Sequence, residues 1–205
     1  MCNSKVTIII PVYNGADTIS RTIDSLIAQT YDDLIALVIN DGSTDETNDI
    51  LMQYKNRYPT KIKVVCQKNI GQAETRNHAV KMAAGKYVMF VDADDYLDPD
   101  YVGTYVKEAE KGDYDCVIGG FRREDNKGNI LKKFVPSSRW LMYSHMVPWA
   151  RIFKRQFLLD NGIEFLNISI GEDSYFNFKV LCATDNIKCI DNMGYVWYVN
   201  NDSIS

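Results

Sequence analysis

Histidine is almost missing from this chain, with two in 205 residues. Both, His78 and His145, stand alone. The five cysteines, Cys2, Cys66, Cys116, Cys182 and Cys189, are odd in number and form no CxxC pair. That excludes the spaced Cys/His sets that hold zinc and points to a reducing, cytoplasmic compartment. Cys66 and Cys116 sit in apolar runs and read as small core residues. The start, MCNSKVTIII, lacks the positive n-region and cleavage site of a signal peptide. No run reaches the roughly 18 apolar residues of a membrane-spanning helix. A peripheral contact at the inner face of a membrane is compatible with that. Basic charge is short as well. The net charge is −4 and the isoelectric point about 5.2, which excludes a basic stripe for nucleic acid. An anionic ligand therefore needs a metal, a helix N-terminus or a few placed cations. No GxGxxG follows the first apolar run and no GxxxxGK[ST] occurs anywhere, which disfavours Rossmann dinucleotide and P-loop sites.

What is present is alternation. The run VTIIIPVY (6–13) is continuous and β-rich, as a strand buried on both faces should be, LIALVIN (34–40) reads as a second buried strand, and KIKVVCQ (61–67), KYVMFVD (86–92) and DCVIGGF (115–121) read as three further strands. Between them lie helical patterns. Ile19, Thr22, Ile23, Leu26 and Ile27 recur at helical spacing. Ser43 and Glu46 suggest a capping box for the second helix. Gly85 reads as the C-cap of the third. Asp98 reads as the N-cap of the fourth, with Pro99 at its first position. The spacing predicts an α/β fold with a doubly wound, mostly parallel sheet. Such sheets bind ligands at the carboxyl ends of their strands. After residue 121 the pattern loosens. RREDNKGNI (122–130) reads as a turn between two strands. Residues 137–162 should hold one or two helices. A helix follows Gly171, and the end is β-rich. One domain over 1–205 is expected, with a nucleotide-binding half (1–120), an acceptor half (121–205) and a natural chain that continues past Ser205.

Four polar constellations fall at the predicted strand ends. In VDADDYLDPD, five aspartates (92, 94, 95, 98 and 100) crowd nine residues. Such close carboxylates repel unless a cation or water separates them. An Asp-x-Asp on a loop suits Mg²⁺ or Mn²⁺, whose other ligands are phosphate and water oxygens. The alternative is an Asp-rich turn that starts a helix. Asp41, before Gly42, can accept a base N–H or a ribose hydroxyl, or can form an Asx turn. In NIGQAETRN (69–77), Gly71 lets backbone approach a ligand, and Arg76 can reach a nucleotide or an acidic partner. Glu172 and Asp173 open a helix. The dipole there favours an ionised carboxylate, which a general base must be. The alternative is ordinary acidic decoration of a first turn.

Taken together, VTIIIPVYNGADTISRTIDSLIAQTY, VINDGSTDET, NIGQAETRNHAVKMAAGKYVMFVDADD and GEDSYF resemble, in order and spacing, a family 2 glycosyltransferase of the GT-A fold. The resemblance covers roughly residues 4–200. It implies an inverting enzyme that moves a sugar from a nucleotide-sugar, usually a UDP-sugar, to a hydroxyl of a glycan or lipid-linked saccharide. Mn²⁺ or Mg²⁺ is implied as cofactor. Pro11, Tyr13 and Asp41 match positions that hold uracil and ribose. Asn69, Gly71 and Arg76 match the nucleotide-side helix motif. Asp94 matches the direct metal ligand, with Asp92 nearer the ribose or sugar and Asp95 extending the acidic run. Asp173 matches the catalytic base, with Glu172 beside it on the acceptor side. A basic residue of the family's closing segment is missing, since Val199 and Asn200 stand there. Lys154 and Arg155 are the candidate substitutes. A sugar nucleotidylyltransferase would want a basic, Gly-rich loop after the first strand, where NGADT stands instead. A non-catalytic nucleotide-sugar module or a donor domain of a larger assembly is the other alternative.

Overall fold

The computed structural model describes residues 4–136, 138, 145–168 and 170–199. Strand β1 (Val6–Val12) is buried at every position, as its unbroken apolar run predicts. It pairs in parallel with β2 (Leu34–Asp41) on one side and β4 (Tyr87–Phe90) on the other. β3 (Ile62–Gln67) extends the sheet beyond β2, also in parallel.

Successive side chains of β1 point to opposite faces, so the strand builds two cores. Ile8 and Ile10 pack with Ile19, Ile23 and Leu26 of α1 (Ile19–Ile27) and with Val102 and Tyr105 of α4 (Tyr101–Lys111). Ile9 joins the other core, with Ala79 and Val80 of α3 (Gln72–Met82) and Phe176 of α6 (Glu172–Ala183). Helix α2 (Thr47–Arg57) connects β2 to β3 and buries Leu51. Full strand order is β10-β6-β9-β4-β1-β2-β3, with β6 at Cys116–Ile118, β9 at Arg151–Lys154 and β10 at Ile187–Cys189. β9 runs antiparallel between β4 and β6, so the sheet is mostly parallel, as expected.

A second sheet has the order β5-β11-β7-β8. Its strands are Tyr96–Leu97, Tyr195–Val199, Phe121–Asp125 and Ile130–Phe134 respectively. The strand expected at 115–121 is therefore two strands in two sheets. Gly119 and Gly120 make the break. A Cβ at Gly119 would collide with the Tyr105 hydroxyl, and one at Gly120 with the Phe134 carbonyl. The expected turn between strands at 122–130 is the β7–β8 hairpin.

Several local expectations are corrected. Gly85 does not cap α3, which ends at Met82. Its missing side chain instead admits β1, since a Cβ there would lie 2.8 Å from the Lys5 carbonyl oxygen. The Ser43–Glu46 box does not form. The Ser43 hydroxyl accepts the Asn14 N–H at 2.9 Å, while the Asp45 carboxylate accepts the Thr47 N–H at 3.1 Å. Asp98 is not the N-cap of α4, which starts at Tyr101 after Asp100. Its carboxylate is taken by Arg122 at 2.5 and 2.8 Å. Cys116 is buried, as expected, but Cys66 is exposed, because β3 is the edge strand. Among its described residues the segment 137–162 holds one short helix, α5 (Arg155–Asp160), within the expected one or two, and also β9, which was not expected. Residues 137 and 139–144 of that segment, with Cys2 and Asn200, lie outside the described residues.

Candidate functional site

A cavity of about 640 Å³ opens at the carboxyl ends of β1 to β4. β1 supplies Pro11 and, just beyond it, Tyr13 and Asn14. Asp41 comes from the end of β2, Asn69 and Gly71 from the loop after β3, and Asp92 and Asp94 from the loop after β4. Seven of the expected site residues therefore meet on one edge. Tyr13 is 53% exposed and offers an open ring face. Asn14 adopts a left-handed φ of 50°. From there its side-chain oxygen accepts the Thr44 N–H at 2.8 Å, tying the first two loops together.

Asp41 is buried, and its carboxylate is largely committed to the protein. Oδ1 accepts the Ile70 N–H at 3.0 Å and Gln67 Nε2 at 2.8 Å, and Oδ2 accepts the Gly71 N–H at 3.0 Å. Asp41 thus shapes the Asn69–Gly71 loop, and Oδ2 has one protein donor and space for another. Gly42, at φ 78°, lets that loop close. A Cβ there would sit 2.7 Å from the Asn69 nitrogen.

Arg76 is 1% exposed and points inward from α3. Its Nη2 donates to Asp92 Oδ1 at 2.7 Å and its Nη1 to Asp173 Oδ1 at 2.8 Å. One guanidinium therefore joins a cavity-lining carboxylate to the first turn of α6. The guanidinium also lies 5.2 Å from the Phe165 ring centre. Of the readings left open for Arg76, the structure selects the acidic partner. Phe165 is held by Asn77, whose side chain accepts its N–H at 2.8 Å and donates to its carbonyl at 2.9 Å.

Asp173 sits in the first turn of α6, as expected, and is half-buried there. Burial raises its carboxyl to about 6; Arg76 pulls the value down, and Asp92 and Glu172 push it up. Glu172 lies beside it in the first turn of α6, half-buried. Asp94 is exposed, yet the dry cleft wall and then the charge of Asp92 raise its carboxyl above the usual range.

Asp95 belongs to the interior. Burial, then the charges of Asp92 and Asp94, push its carboxyl well up. It accepts the Tyr195 hydroxyl at 2.6 Å and the Tyr198 N–H at 3.0 Å. The Tyr195 hydroxyl in turn accepts the Asp92 N–H at 3.3 Å. Tyr195, Asn77 and Phe165 carried no local signal in the sequence, since each bond spans more than 80 positions. Lys154 and Arg155 are far from the cavity. Lys154 pairs with Asp113 at 2.8 Å, and Arg155 donates to the Val80 and Lys81 carbonyls at the far end of α3.

Among the described residues no group of three or more His, Cys, Asp or Glu is placed to hold a metal. Nor does the cavity lining include Lys or Arg. Asp92 and Asp94 are a two-carboxylate donor set. That set fits a hard divalent cation whose remaining ligands are phosphate and water oxygens, as Mg²⁺ sites often are.

The sequence profile of Glycosyl transferase family 2 matches residues 7–171, stopping just before Glu172 and Asp173. A poly(ribitol-phosphate) beta-glucosyltransferase from Bacillus spizizenii is 31% identical, covering 97% of this chain and 33% of that protein. Glycosyltransferase GlyA of Streptococcus pneumoniae is 26% identical, covering 100% of this chain and 32% of that one. Staphylococcus aureus TarS 1–349 in complex with UDP superposes with a TM-score of 0.81 at 26% identity, covering 95% of this chain and 60% of that one. The same protein has been solved with UDP-GlcNAc. This chain thus spans between 32% and 60% of the length of these proteins. The fold is the GT-A arrangement that the motifs imply. A profile match across most of the chain, joined to a shared fold over nearly all of it, makes this protein a member of glycosyl transferase family 2.

Proposed function

We propose that this chain is the catalytic domain of an inverting glycosyltransferase. It moves a sugar from a UDP-sugar to a hydroxyl of a glycan or lipid-linked saccharide, by metal-assisted single displacement. The observation that carries this reading is the Arg76 bridge, which sets Asp173 beside the strand-end cavity through Asp92. The UDP and UDP-GlcNAc complexes of the staphylococcal relative support the donor class. In this reading residues 1–120 hold the nucleotide and residues 121–205 the acceptor, in the cytoplasm or at the inner face of a membrane. Among the described residues no helix is long and apolar enough to cross a membrane.

Each residue has a physical task. Tyr13 and Pro11 flank the base, and Asp41, through Oδ2, takes a base or ribose donor. Asn69 and Gly71 present backbone to the nucleotide. Asp173 takes the proton of the acceptor hydroxyl while that oxygen bonds to the anomeric carbon. The bond to the diphosphate oxygen breaks on the opposite face, which inverts the centre. Arg76 holds the Asp173 carboxylate toward the cavity, and Glu172 faces the acceptor. When bound at Asp94, Mn²⁺ or Mg²⁺ supplies Lewis-acid stabilisation of the leaving diphosphate. The carboxylates that line the cavity, with no Lys or Arg among the described lining residues, would otherwise repel a diphosphate. The loop after the first strand, NGADT, carries no basic residue, which disfavours a triphosphate-using nucleotidylyltransferase.

A thermal-shift panel of nucleotide-sugars, with and without Mn²⁺, tests the reading. A UDP-sugar at about 100 times its Kd stabilises the fold by about 2.7 kcal/mol, and only with the metal. Asp94→Ala removes that metal-dependent shift. A panel in which no nucleotide-sugar shifts the transition would overturn the donor assignment. Binding without transfer would favour the non-catalytic module.

The acid limb of the rate profile follows from Asp173. A base must be deprotonated, so kcat/KM rises with pH through about 6 and then levels off. A limb near the ordinary aspartate value would place the base elsewhere.

A further inference from the structure

Arg21 is not among the expected site residues, yet it touches the loop that carries Asp92 and Asp94. Three successive carbonyls of that loop face α1. The Thr22 hydroxyl lies 2.9 Å from the Ala93 carbonyl oxygen and 2.7 Å from that of Asp95. A hydroxyl has one proton, so Thr22 shares it between the two. The carbonyl between them, that of Asp94, receives Arg21 Nη2 at 2.6 Å.

The same guanidinium lies over the Tyr198 ring, 3.5 Å from its centre. Tyr198 closes the circuit, because its N–H donates to Asp95 Oδ1 at 3.0 Å. Helix α1, the acidic loop and β11 are thus joined through one side chain. Such a pin has a physical purpose. Asp92 and Asp94 carry like charges two residues apart, and a free loop would rotate them away from each other. Both must instead line one cavity.

We propose that Arg21 is a positioning residue for Asp94: with its guanidinium laid on the Tyr198 ring it holds the Asp94 carbonyl, so that the carboxylate stays turned into the cavity to bind a divalent cation with a nucleoside diphosphate. This rests on the donor-site reading above. Arg21 itself is not among the cavity-lining residues.

The test is Mn²⁺ binding in saturating UDP, read from the electron paramagnetic resonance signal of free Mn²⁺, for wild type, Arg21→Met, Arg21→Lys and Asp94→Ala. Outer-shell partners of a metal site are worth about 10–100-fold in affinity. Arg21→Met therefore weakens Mn²⁺ binding about tenfold, and Arg21→Lys, which keeps a cationic donor, recovers part of it. UDP binding without metal is unchanged, and kcat at saturating Mn²⁺ and donor stays within about twofold, since only ground-state binding is lost. Tyr198→Leu, which removes the platform, shifts Mn²⁺ affinity the same way. If Arg21→Met lowers the melting temperature but keeps wild-type Mn²⁺ affinity while Asp94→Ala loses it, Arg21 is only a packing residue and the proposal is overturned. If Asp94→Ala also keeps wild-type affinity, the donor-site reading itself has failed.

Discussion

Replacing Asp173 with asparagine lowers sugar transfer about a thousandfold and leaves metal-dependent UDP binding intact. The rate loss is that of a general base, worth about 10²–10⁴-fold. Binding survives because Asp173 does not line the strand-end cavity. The fold survives because an amide oxygen still accepts Arg76 Nη1, and Arg76 keeps Asp92. The substitution also changes how stability depends on pH. The Asp173 carboxyl is raised from 3.8 to about 6 in the fold, so the folded state binds the extra proton. Its contribution is full below 3.8 and is lost as pH rises through about 6. The asparagine variant lacks that slope. Relative to wild type it gains stability across this window, by at most about 3 kcal/mol. Steady-state transfer and melting curves from pH 4 to 8 read both effects. Wild-type transfer rates in the variant would remove Asp173 from the base position.

Replacing Arg76 with methionine destabilises the fold by about 3–5 kcal/mol and abolishes transfer. A buried ion pair is weak evidence for stability, but breaking one strands its partners. Here two carboxylates, with side chains 26% and 29% exposed, would face each other across an apolar side chain. Without the guanidinium the Asp173 carboxyl moves further up from about 6, so less of the base is ionised at a given pH. Any residual activity therefore rises at higher pH than in wild type. Adding Asp92→Asn and Asp173→Asn to Arg76→Met removes the stranded charges and restores most of the stability, though not activity. Chemical denaturation of the single and triple variants separates the two effects. A single variant as stable as wild type would show that the bridge carries no folding energy.

Most of the fold was legible in the chain. Continuous apolar runs at 6–13 and 34–40 read as strands covered on both sides, and alternation with helical patterns implied a mostly parallel sheet. Capping was misread at three places. Ser43, Gly85 and Asp98 are residue types that cap helices, but each is claimed by a distant partner: Asn14, the β1 backbone and Arg122. Local propensity is a weak prior when a tertiary contact offers a stronger bond. β9 was missed because four residues carry little periodicity, and its place between β4 and β6 is set by long-range pairing.

The candidate site divides along the same line. Strand-end placement brings Tyr13, Asp41, Asn69, Gly71, Asp92 and Asp94 together on one edge of a parallel sheet, and order along the chain was enough to foresee that. Order along the chain said nothing about Arg76 meeting Asp92 and Asp173, 16 and 97 positions away. It equally could not show Tyr195 and Arg21 gripping the acidic loop from two sides. Proton affinity was decided there too. A helix start favours an ionised Asp173, whereas burial in the folded cleft raises its carboxyl to about 6. Residue type and spacing can name an acid, whereas its charge state depends on which groups, and how much water, the fold leaves around it.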